Sequence, residues 1–472
     1  MPPMINDSIF SSVSQWAEAI RSRRISACEV LKIHLAQIDK LNPAFNAINI
    51  TDAEKALERA RAADEAIARG EVWGPLHGVP FTLKDAHCTA GMRTTVGFPP
   101  FAGYVPEEDS AVAARLKLAG GILIGKTNVA MMLGDYQTNN PLFGRTNNPW
   151  NVHRTAGGSS GGAAAALAAG MTPFEIGTDL SSSIRIPAHF CGVFGLKPTE
   201  RCVPLTGLIP NPQNLSRPIR IMSSIGPMAR SVEDLELIYS IIAGPDGRDT
   251  DVQAGPQART PELALKNLRI AFAPTFPGLP VAADIRSAVE DAAAELAKAG
   301  AIVGEAALPA VDFQADLSSA GELIGMMLGT VQPESQESAF DKLRASPVTL
   351  AQYFKALARR DESIFAWEQF FESWDALLCP PAMVTGFPHC EPGADLQLDG
   401  KPVSYWLVSA HGAIFNYTGH PAVVLPYTLD RDHLPIGLQL VGRRWNESHL
   451  LGVAKTMSAI TGQFRRPPLG VA

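Results

Sequence analysis

A lysine stands inside a short apolar run early in the chain. The segment "GVPFTLKD" places Lys84 among Val79, Phe81 and Leu83, and the flanking proline and glycine residues predict a short strand. A lysine in such a strand usually extends its amine to solvent, which is the favoured interpretation of this segment alone. If the amine is buried instead, desolvation lowers its pKa and makes a neutral general base available. The segment therefore offers either a surface lysine or a buried base.

A glycine-rich segment supplies two candidate serines. In "TAGGSSGGAAAALAAG", Ser159 and Ser160 stand between two glycine pairs, ahead of an alanine-rich stretch that predicts a helix. Glycine permits tight turns, and the N–H groups at a helix start attract an anion or an oxyanion. No Gly-Lys-Ser or Gly-Lys-Thr follows, so a phosphate loop of the Walker type is unsupported. Taken alone, the segment is either part of a site or a flexible connection before a packed helix.

Three consecutive serines follow in "GTDLSSSIRIP", where Ser181, Ser182 and Ser183 stand side by side. Such a row is either polar loop filler or the edge of an active site. A serine hydroxyl becomes a nucleophile when a base removes its proton, and Ser–Lys arrangements are an established variant of the catalytic triad. The ten histidines are dispersed, so a Ser–His–Asp triad has no obvious candidate.

Together these segments resemble the amidase signature family of hydrolases. The family's motifs match "GVPFTLKD", "GGSSGG" and "GTDLSSSIRIPAHFCGVFGLKPT". Ser159 follows Lys84 by 75 residues and Ser183 follows Ser159 by 24, as the family pattern expects. Other segments that resemble the family are residues 138–150, 226–249 and 419–447.

The resemblance implies a catalytic triad of Ser183, Ser159 and Lys84. Ser183 would attack the carbonyl carbon, and Ser159 would take its proton, pass it to neutral Lys84 and return one to the leaving amine. The bridging serine of the family follows a cis peptide bond, which here would join Gly158 to Ser159. Hydrolysis would then proceed through a covalent acyl-enzyme that water resolves.

The resemblance also implies an oxyanion hole made of backbone N–H groups in the serine loop. Each such donor typically contributes about 3–4 kcal/mol to transition-state stabilisation. The family has two glycines where this chain has two serines, so the loop geometry depends on whether a positive φ is needed there. A serine hydroxyl that contacts the substrate is a further hypothesis. The four expected donors are Leu180, Ser181, Ser182 and Ser183.

Two charged residues flank the serine loop. In the family such residues mainly fix the loop through hydrogen bonds, so Asp179 and Arg185 are expected to support it. Cys191, just beyond the loop, is interpreted as a small buried residue and not as a nucleophile. Ligand spacings such as HExxH are missing, so neither a metal nor a cofactor is predicted.

The segment "TNVAMMLGDYQTNN" carries the prediction about substrate. In the family, the stretch after "TN" lines the acyl side of the pocket, and many members have an acidic residue where Met131 stands. Met131, Met132 and Leu133, with Gly158 nearby, predict an adaptable apolar wall in place of a charged clamp. The alternative is that the two methionines and the leucine are ordinary core residues.

These observations predict a hydrolase of amide or amide-like C–N bonds, including carbamates and ureas. Within the family the chain looks closer to promiscuous aryl acylamidases, nylon-oligomer hydrolases and urethanases than to other members. The alternative is the glutamine-amidase subunit of a tRNA-dependent amidotransferase, although such subunits usually show "SIRQP" and a "YGRVSR"-like segment where this chain has "SIRIP" and "ERCVPLTG". A catalytically silent binding protein is a third reading, and the intact lysine and serines weigh against it.

Helical patterns alternate with short strand patterns along the chain, as in "DSAVAARLKLAGG" followed by "ILIGKTN". This alternation predicts an α/β fold. With the resemblance, we expect a single α/β/α domain over 1–472, with a central mixed, mostly parallel sheet flanked by helices. About 8–465 is family-like, and 308–400 is the least family-like and is expected to be variable and on the substrate side.

Composition excludes several functional classes. Of 472 residues, 46% are hydrophobic and 18% charged, and the net charge of −7 provides no basic surface for nucleic acid or an anionic membrane. The six cysteines form no CxxC pair and are interpreted as reduced thiols in a cytoplasmic protein. Neither a signal peptide nor a membrane span is predicted. The expected partner is a small-molecule substrate, and a homo-oligomer is left open.

Overall fold

Twelve α-helices form in the part of the chain that the structure describes. The computed structural model describes residues 9–209, 219–252, 260–305, 307–328 and 349–469. In these ranges the helices are α1 (Val13–Arg21), α2 (Ala27–Phe45), α3 (Ala53–Ala68), α4 (Ala111–Leu118), α5 (Gly161–Ala168), α6 (Arg185–Cys191), α7 (Val232–Ile242), α8 (Ala283–Ala299), α9 (Phe313–Leu328), α10 (Leu350–Ser373), α11 (Ala410–Tyr417) and α12 (Glu447–Thr461).

The strands of the same ranges are mostly short. They are β1 (Ile48–Thr51), β2 (Pro80–Lys84), β3 (Ile122–Thr127), β4 (Asn139–Asn140), β5 (Gly144–Arg145), β6 (Asn147–Asn148), β7 (Asn151–Thr155), β8 (Glu175–Asp179), β9 (Phe194–Lys197), β10 (Ser224–Ala229), β11 (Arg269–Phe272), β12 (Ile302–Glu305), β13 (Ala376–Cys379), β14 (Leu396–Leu398), β15 (Lys401–Val403), β16 (Ala422–Leu429) and β17 (Pro435–Val441).

Eight strands form the main sheet, in the order β12-β11-β13-β17-β16-β9-β10-β8. The predicted α/β class and mixed sheet are confirmed, but the expectation of a mostly parallel sheet is wrong. Only β12–β11 and β11–β13 pair in parallel, and the other neighbours are antiparallel. Two strands that flank a helix in the chain run parallel when they pair with each other, as β11 and β12 do on either side of α8. By contrast, a tight turn at 430–433 joins β16 to β17 as an antiparallel hairpin.

A second sheet, in the order β1-β3-β2, carries the predicted base. Strand β2 is buried along its whole length and ends at Lys84, which pairs with Thr127 of β3. Phe81 of β2 stacks on Phe174, the residue before β8, with ring centroids 5.3 Å apart. This contact holds the end of the small sheet beside the edge strand of the large one.

The alanine-rich helix α5 fills the core next to these two sheets. Its alanines are fully buried, so their small side chains allow the neighbouring elements to pack closely. A Cβ on Gly162 would lie 2.7 Å from the carbonyl oxygen of Ala47, so only glycine fits there. No helix of the described ranges is long and apolar enough to cross a membrane.

The stretch 308–400 contributes to the core of the molecule. Strand β13 lies inside the main sheet, between β11 and β17. Trp367 of α10 is fully buried and packs on Phe415 of α11, with ring centroids 5.1 Å apart. Residues 329–348 of this stretch lie outside the described ranges. At least part of this least family-like stretch is therefore structural.

Candidate active site

The amine of Lys84 lies at the meeting point of three hydroxyl groups. Its Nζ is 2.8 Å from Ser159 Oγ, 2.8 Å from Ser160 Oγ and 2.7 Å from Thr178 Oγ1. The lysine is completely buried, so the surface interpretation of its segment is wrong. The ends of β2 and β8 thus bring the lysine to the glycine-rich segment.

Burial is the main cause of an altered pKa at Lys84. Desolvation lowers the pKa of its amine from 10.5 to about 7, although the carboxyl groups of Asp179 and Glu175 act in the opposite direction. Burial also raises the pKa of Glu175 to about 7, which weakens the negative charge near the lysine. A neutral amine is therefore accessible near neutral pH, as a general base requires.

Glycines around Ser159 let the backbone pack tightly against neighbouring segments. The peptide bond between Gly158 and Ser159 is cis, as the resemblance implies. A Cβ on Gly158 would lie 2.7 Å from the carbonyl carbon of Tyr136. Gly157 adopts a φ of +85° and faces the backbone of Pro187. Gly158 thus permits a close backbone approach, and its role in the substrate pocket stays a prediction.

The serine loop between β8 and α6 is held by a buried ion pair. Asp179 accepts hydrogen bonds from the Ser182 N–H at 2.8 Å and from the Ile184 N–H at 3.1 Å. Arg185 donates to both carboxylate oxygens of Asp179, each at 3.0 Å. Burial alone would raise the pKa of Asp179, but the guanidinium of Arg185 lowers it to about 2. These contacts join Asp179 and Arg185 to the loop, and the role of the two residues in the site stays a prediction.

Asn416 of α11 is a further support that the sequence motifs did not indicate. Its side-chain amide donates to Asp179 Oδ1 at 2.8 Å, and its Oδ1 accepts from the Ser182 N–H at 3.1 Å. It also accepts a hydrogen bond from Arg185. Asn416 lies 237 residues beyond Asp179, so no local pattern could have connected the two.

The side chain of Ser182 is turned into the protein. Its φ is +69°, in the left-handed region that favours glycine, and its side chain is fully buried against Gly412. Its N–H is engaged by Asp179 and Asn416, which makes it the least suited of the expected oxyanion donors. The remaining candidate donors are Leu180, Ser181 and Ser183.

Ser183 stands two residues before α6, at the end of the serine loop. It retains a 9% exposed fraction, whereas Ser182 and Ser159 have none. A nucleophile must be reached by its substrate, so accessibility favours Ser183 over Ser182. Lys84 contacts Thr178 of β8, five residues before Ser183 along the chain.

The predicted apolar wall forms a short 3-10 turn at residues 131–133. The preceding Ala130 N–H donates to the Ser159 carbonyl oxygen at 3.4 Å, which places the turn next to Ser159. Met131 is 45% exposed and is no core residue. The rest of the turn joins an apolar cluster that includes Met132, Leu133, Ala86, Cys88, Val96, Phe98 and Ile209.

The described part of the chain shows neither a reactive cysteine nor a metal site. The six cysteines are all free there, and burial raises the pKa of the Cys191 thiol, which keeps it protonated. In the same ranges, no group of three or more His, Cys, Asp or Glu side chains is placed to hold a metal ion.

The fold and the buried lysine–serine arrangement place the chain among hydrolases that cleave amide bonds. The chain belongs to the amidase family, whose model, described as Amidase, matches residues 29–451. The resemblance drawn from the sequence motifs is therefore confirmed.

Curated relatives at about one-third identity cover nearly the whole chain. One of the subunits of the glutamyl-tRNA(Gln) amidotransferase of Carboxydothermus hydrogenoformans is 33% identical over 97% of this chain and 99% of the relative. The corresponding subunit of the Moorella thermoacetica enzyme is 33% identical over 98% of this chain and 99% of the relative.

Solved structures of amide hydrolases have the same fold. A 6-aminohexanoate cyclic dimer hydrolase, solved with its substrate, is 28% identical and covers 98% of this chain and 99% of its own, with a TM-score of 0.83. A bacterial aryl acylamidase superposes with a TM-score of 0.86 over 98% of both chains, and at 24% identity this likeness shows the fold alone.

Proposed function

We propose that this protein hydrolyses the C–N bond of a small-molecule amide or carbamate through Ser183, Ser159 and Lys84. The observation that carries the proposal is the 2.8 Å contact between buried Lys84 and Ser159. A lysine whose pKa is near 7 accepts a proton from Ser159 at neutral pH, and Ser159 in turn takes the proton of the nucleophile.

The reaction proceeds in two acyl-transfer steps. Ser183 Oγ bonds to the carbonyl carbon, its proton passes through Ser159 to Lys84, and the carbonyl oxygen becomes an oxyanion. The C–N bond then breaks, the proton returns to the leaving amine, and an acyl-serine ester remains. Water attacks this ester by the same proton path and releases the acid and the free serine.

The walls of the site favour an uncharged group on the substrate. Met132 and Leu133 pack in an apolar cluster beside the bridging serine and offer no ionic partner. An aryl acylamide, a nylon-like oligomer or an aryl carbamate has an apolar group suited to such a wall. The similarity to the 6-aminohexanoate cyclic dimer hydrolase supports this choice.

The second candidate is a glutamine-amidase subunit of a tRNA-dependent amidotransferase. The curated relatives from Carboxydothermus and Moorella are subunits of glutamyl-tRNA(Gln) amidotransferases, so sequence similarity supports this candidate better than the first. It would require partner subunits, and it would require a site that recognises the charged groups of glutamine. The apolar residues at 131–133 argue against such recognition.

A substrate panel separates the two candidates. The purified chain would be given 4-nitroanilides, aryl carbamates, aryl ureas and glutamine, with and without amidotransferase partner subunits, while release of amine or ammonia is measured. We expect turnover of anilides or carbamates by the chain alone. Ammonia release from glutamine that depends on partner subunits, with no anilide or carbamate turnover, would establish the second candidate.

A further inference from the structure

Three hydroxyl groups meet beside the serine loop, outside the proposed proton path. Ser409 Oγ, just before α11, is 3.0 Å from Ser181 Oγ and 2.8 Å from the Tyr136 hydroxyl. Ser181 stands two residues before the nucleophile, and Tyr136 stands three residues after the turn at 131–133. This hydroxyl cluster, made of Tyr136, Ser181 and Ser409, therefore joins the serine loop to the segment that carries the predicted apolar wall.

Aromatic packing fixes the position of the tyrosine. The Tyr136 ring lies 5.7 Å from the ring of Tyr405 and 6.2 Å from that of Trp406, between centroids. The Tyr405 hydroxyl bonds to the carboxylate of Asp135, the residue before Tyr136. On the other side, the backbone at Tyr136 lies against Gly158. The hydroxyl is thus held in one place before any substrate arrives.

The hydroxyl cluster can donate a hydrogen bond to a further group. Two hydrogen bonds join its three hydroxyls and use two of the three hydroxyl hydrogens, with Ser409 in the middle and only 3% exposed. When Ser409 donates one of these two bonds, the third hydrogen lies on Tyr136 or Ser181, both partly exposed. Burial raises the pKa of Tyr136, which keeps that hydroxyl protonated at neutral pH.

We propose that the hydroxyl cluster of Tyr136, Ser181 and Ser409 determines specificity by donating a hydrogen bond to a second oxygen, other than the carbonyl oxygen, on the scissile carbonyl carbon. The alkoxy oxygen of a carbamate is such an acceptor, whereas the methylene of a simple amide is not. The inference rests on the proposed function and narrows its substrate class to carbamates. These residues position the substrate and take no part in the proton path.

A matched substrate pair tests this directly. Methyl N-(4-nitrophenyl)carbamate and 4-nitropropionanilide have the same leaving amine and differ by an oxygen in place of a methylene. We expect Tyr136→Phe and Ser409→Ala to lower the ratio of kcat/KM for carbamate over anilide by about three- to tenfold, because only the carbamate has the alkoxy acceptor. Tyr427→Phe, in β16, is the matched control and should leave the ratio unchanged.

The possible outcomes show separately whether this inference fails and whether the proposed function fails. If the wild-type protein cleaves both substrates and the variants leave the ratio unchanged, or slow both substrates equally, the specificity role is wrong and the proposed function stands. If the wild-type protein releases nitroaniline from neither substrate, the proposed function is wrong and the inference is overturned with it.

Discussion

The side chain of Ser182 occupies the space that Gly412 leaves by lacking a Cβ. A Cβ at position 412 would lie 3.0 Å from Ser182 Cβ and would overlap Ser182 Oγ. The resemblance predicts glycine at position 182, and the left-handed φ of +69° explains that preference. A serine is accommodated here because the facing residue on α11 is glycine. The middle serine of the loop is therefore a packed structural residue.

Gly412→Ala should destabilise the protein by about 1–3 kcal/mol, because the added methyl group overpacks a buried contact. Ser182→Gly should be nearly neutral, since relief of the left-handed backbone offsets the flexibility that glycine adds to the unfolded chain. Urea denaturation of each variant measures these differences in the free energy of unfolding.

The double variant provides the control for this contact. In Ser182→Gly/Gly412→Ala the obstructing hydroxyl is gone, so most of the cost of Gly412→Ala should disappear. Strictly additive effects of the two substitutions would show that the contact between these residues is not the cause.

Activity should depend on pH through Lys84. The amine must be neutral to accept a proton, and burial lowers its pKa to about 7. Below that pH the amine is protonated, so kcat/KM should fall about tenfold per pH unit, while above it the rate should level off. A pH profile between 5.5 and 9 measures this, with circular dichroism to verify that the fold persists. A flat profile across pH 7 would contradict the assignment of Lys84 as the base.

Ser159 and Ser160 allow a matched comparison, because each lies 2.8 Å from Lys84 Nζ. If Ser159 alone bridges the base and the nucleophile, Ser159→Ala should lower kcat by about 10²–10⁴-fold. Ser160→Ala should have a much smaller effect, since it removes only one contact of the amine. Steady-state kinetics of both variants, checked for folding, tests this. Equal losses would mean that the two hydroxyls share the role.

Loss of the buried carboxylate at Asp179 should be costly. Asp179→Ala leaves Arg185 buried without its counter-ion, which typically costs about 3–5 kcal/mol. The exposed pair of Arg431 and Asp284 is the control, and Asp284→Ala should cost about 0–1 kcal/mol. Urea denaturation at pH 7 compares them. A similar small loss for both variants would show that the ion pair does not hold the loop.

Local signals in the sequence predict where helices begin. Ser26 and Glu29 form the capping box that their spacing predicts at the start of α2. Thr51 and Glu54 predict a capping box at the start of α3, but Thr51 pairs in β1 and Asp52 caps the helix instead. Caps depend on a few neighbouring residues, so they can be predicted to within a position.

Contacts between distant segments could not be predicted in this way. The hydrogen bonds of Asn416 to the serine loop and the contact of Ser182 with Gly412 join residues more than 200 positions apart. The order of strands in the main sheet depends on the topology of the whole chain. The family resemblance implies that Lys84 and Ser159 are partners, but only the folded chain shows that Ser160 and Thr178 share the same amine.

Identification of the nucleophile tests the central claim most directly. A fluorophosphonate reacts with an activated serine as its oxygen displaces fluoride, and peptide mass spectrometry locates the adduct. We predict an adduct on Ser183 in the wild-type protein, no adduct in Ser183→Ala together with loss of turnover by several orders of magnitude, and retained labelling in Ser182→Ala. An adduct on Ser182, or full turnover by Ser183→Ala, would contradict the account.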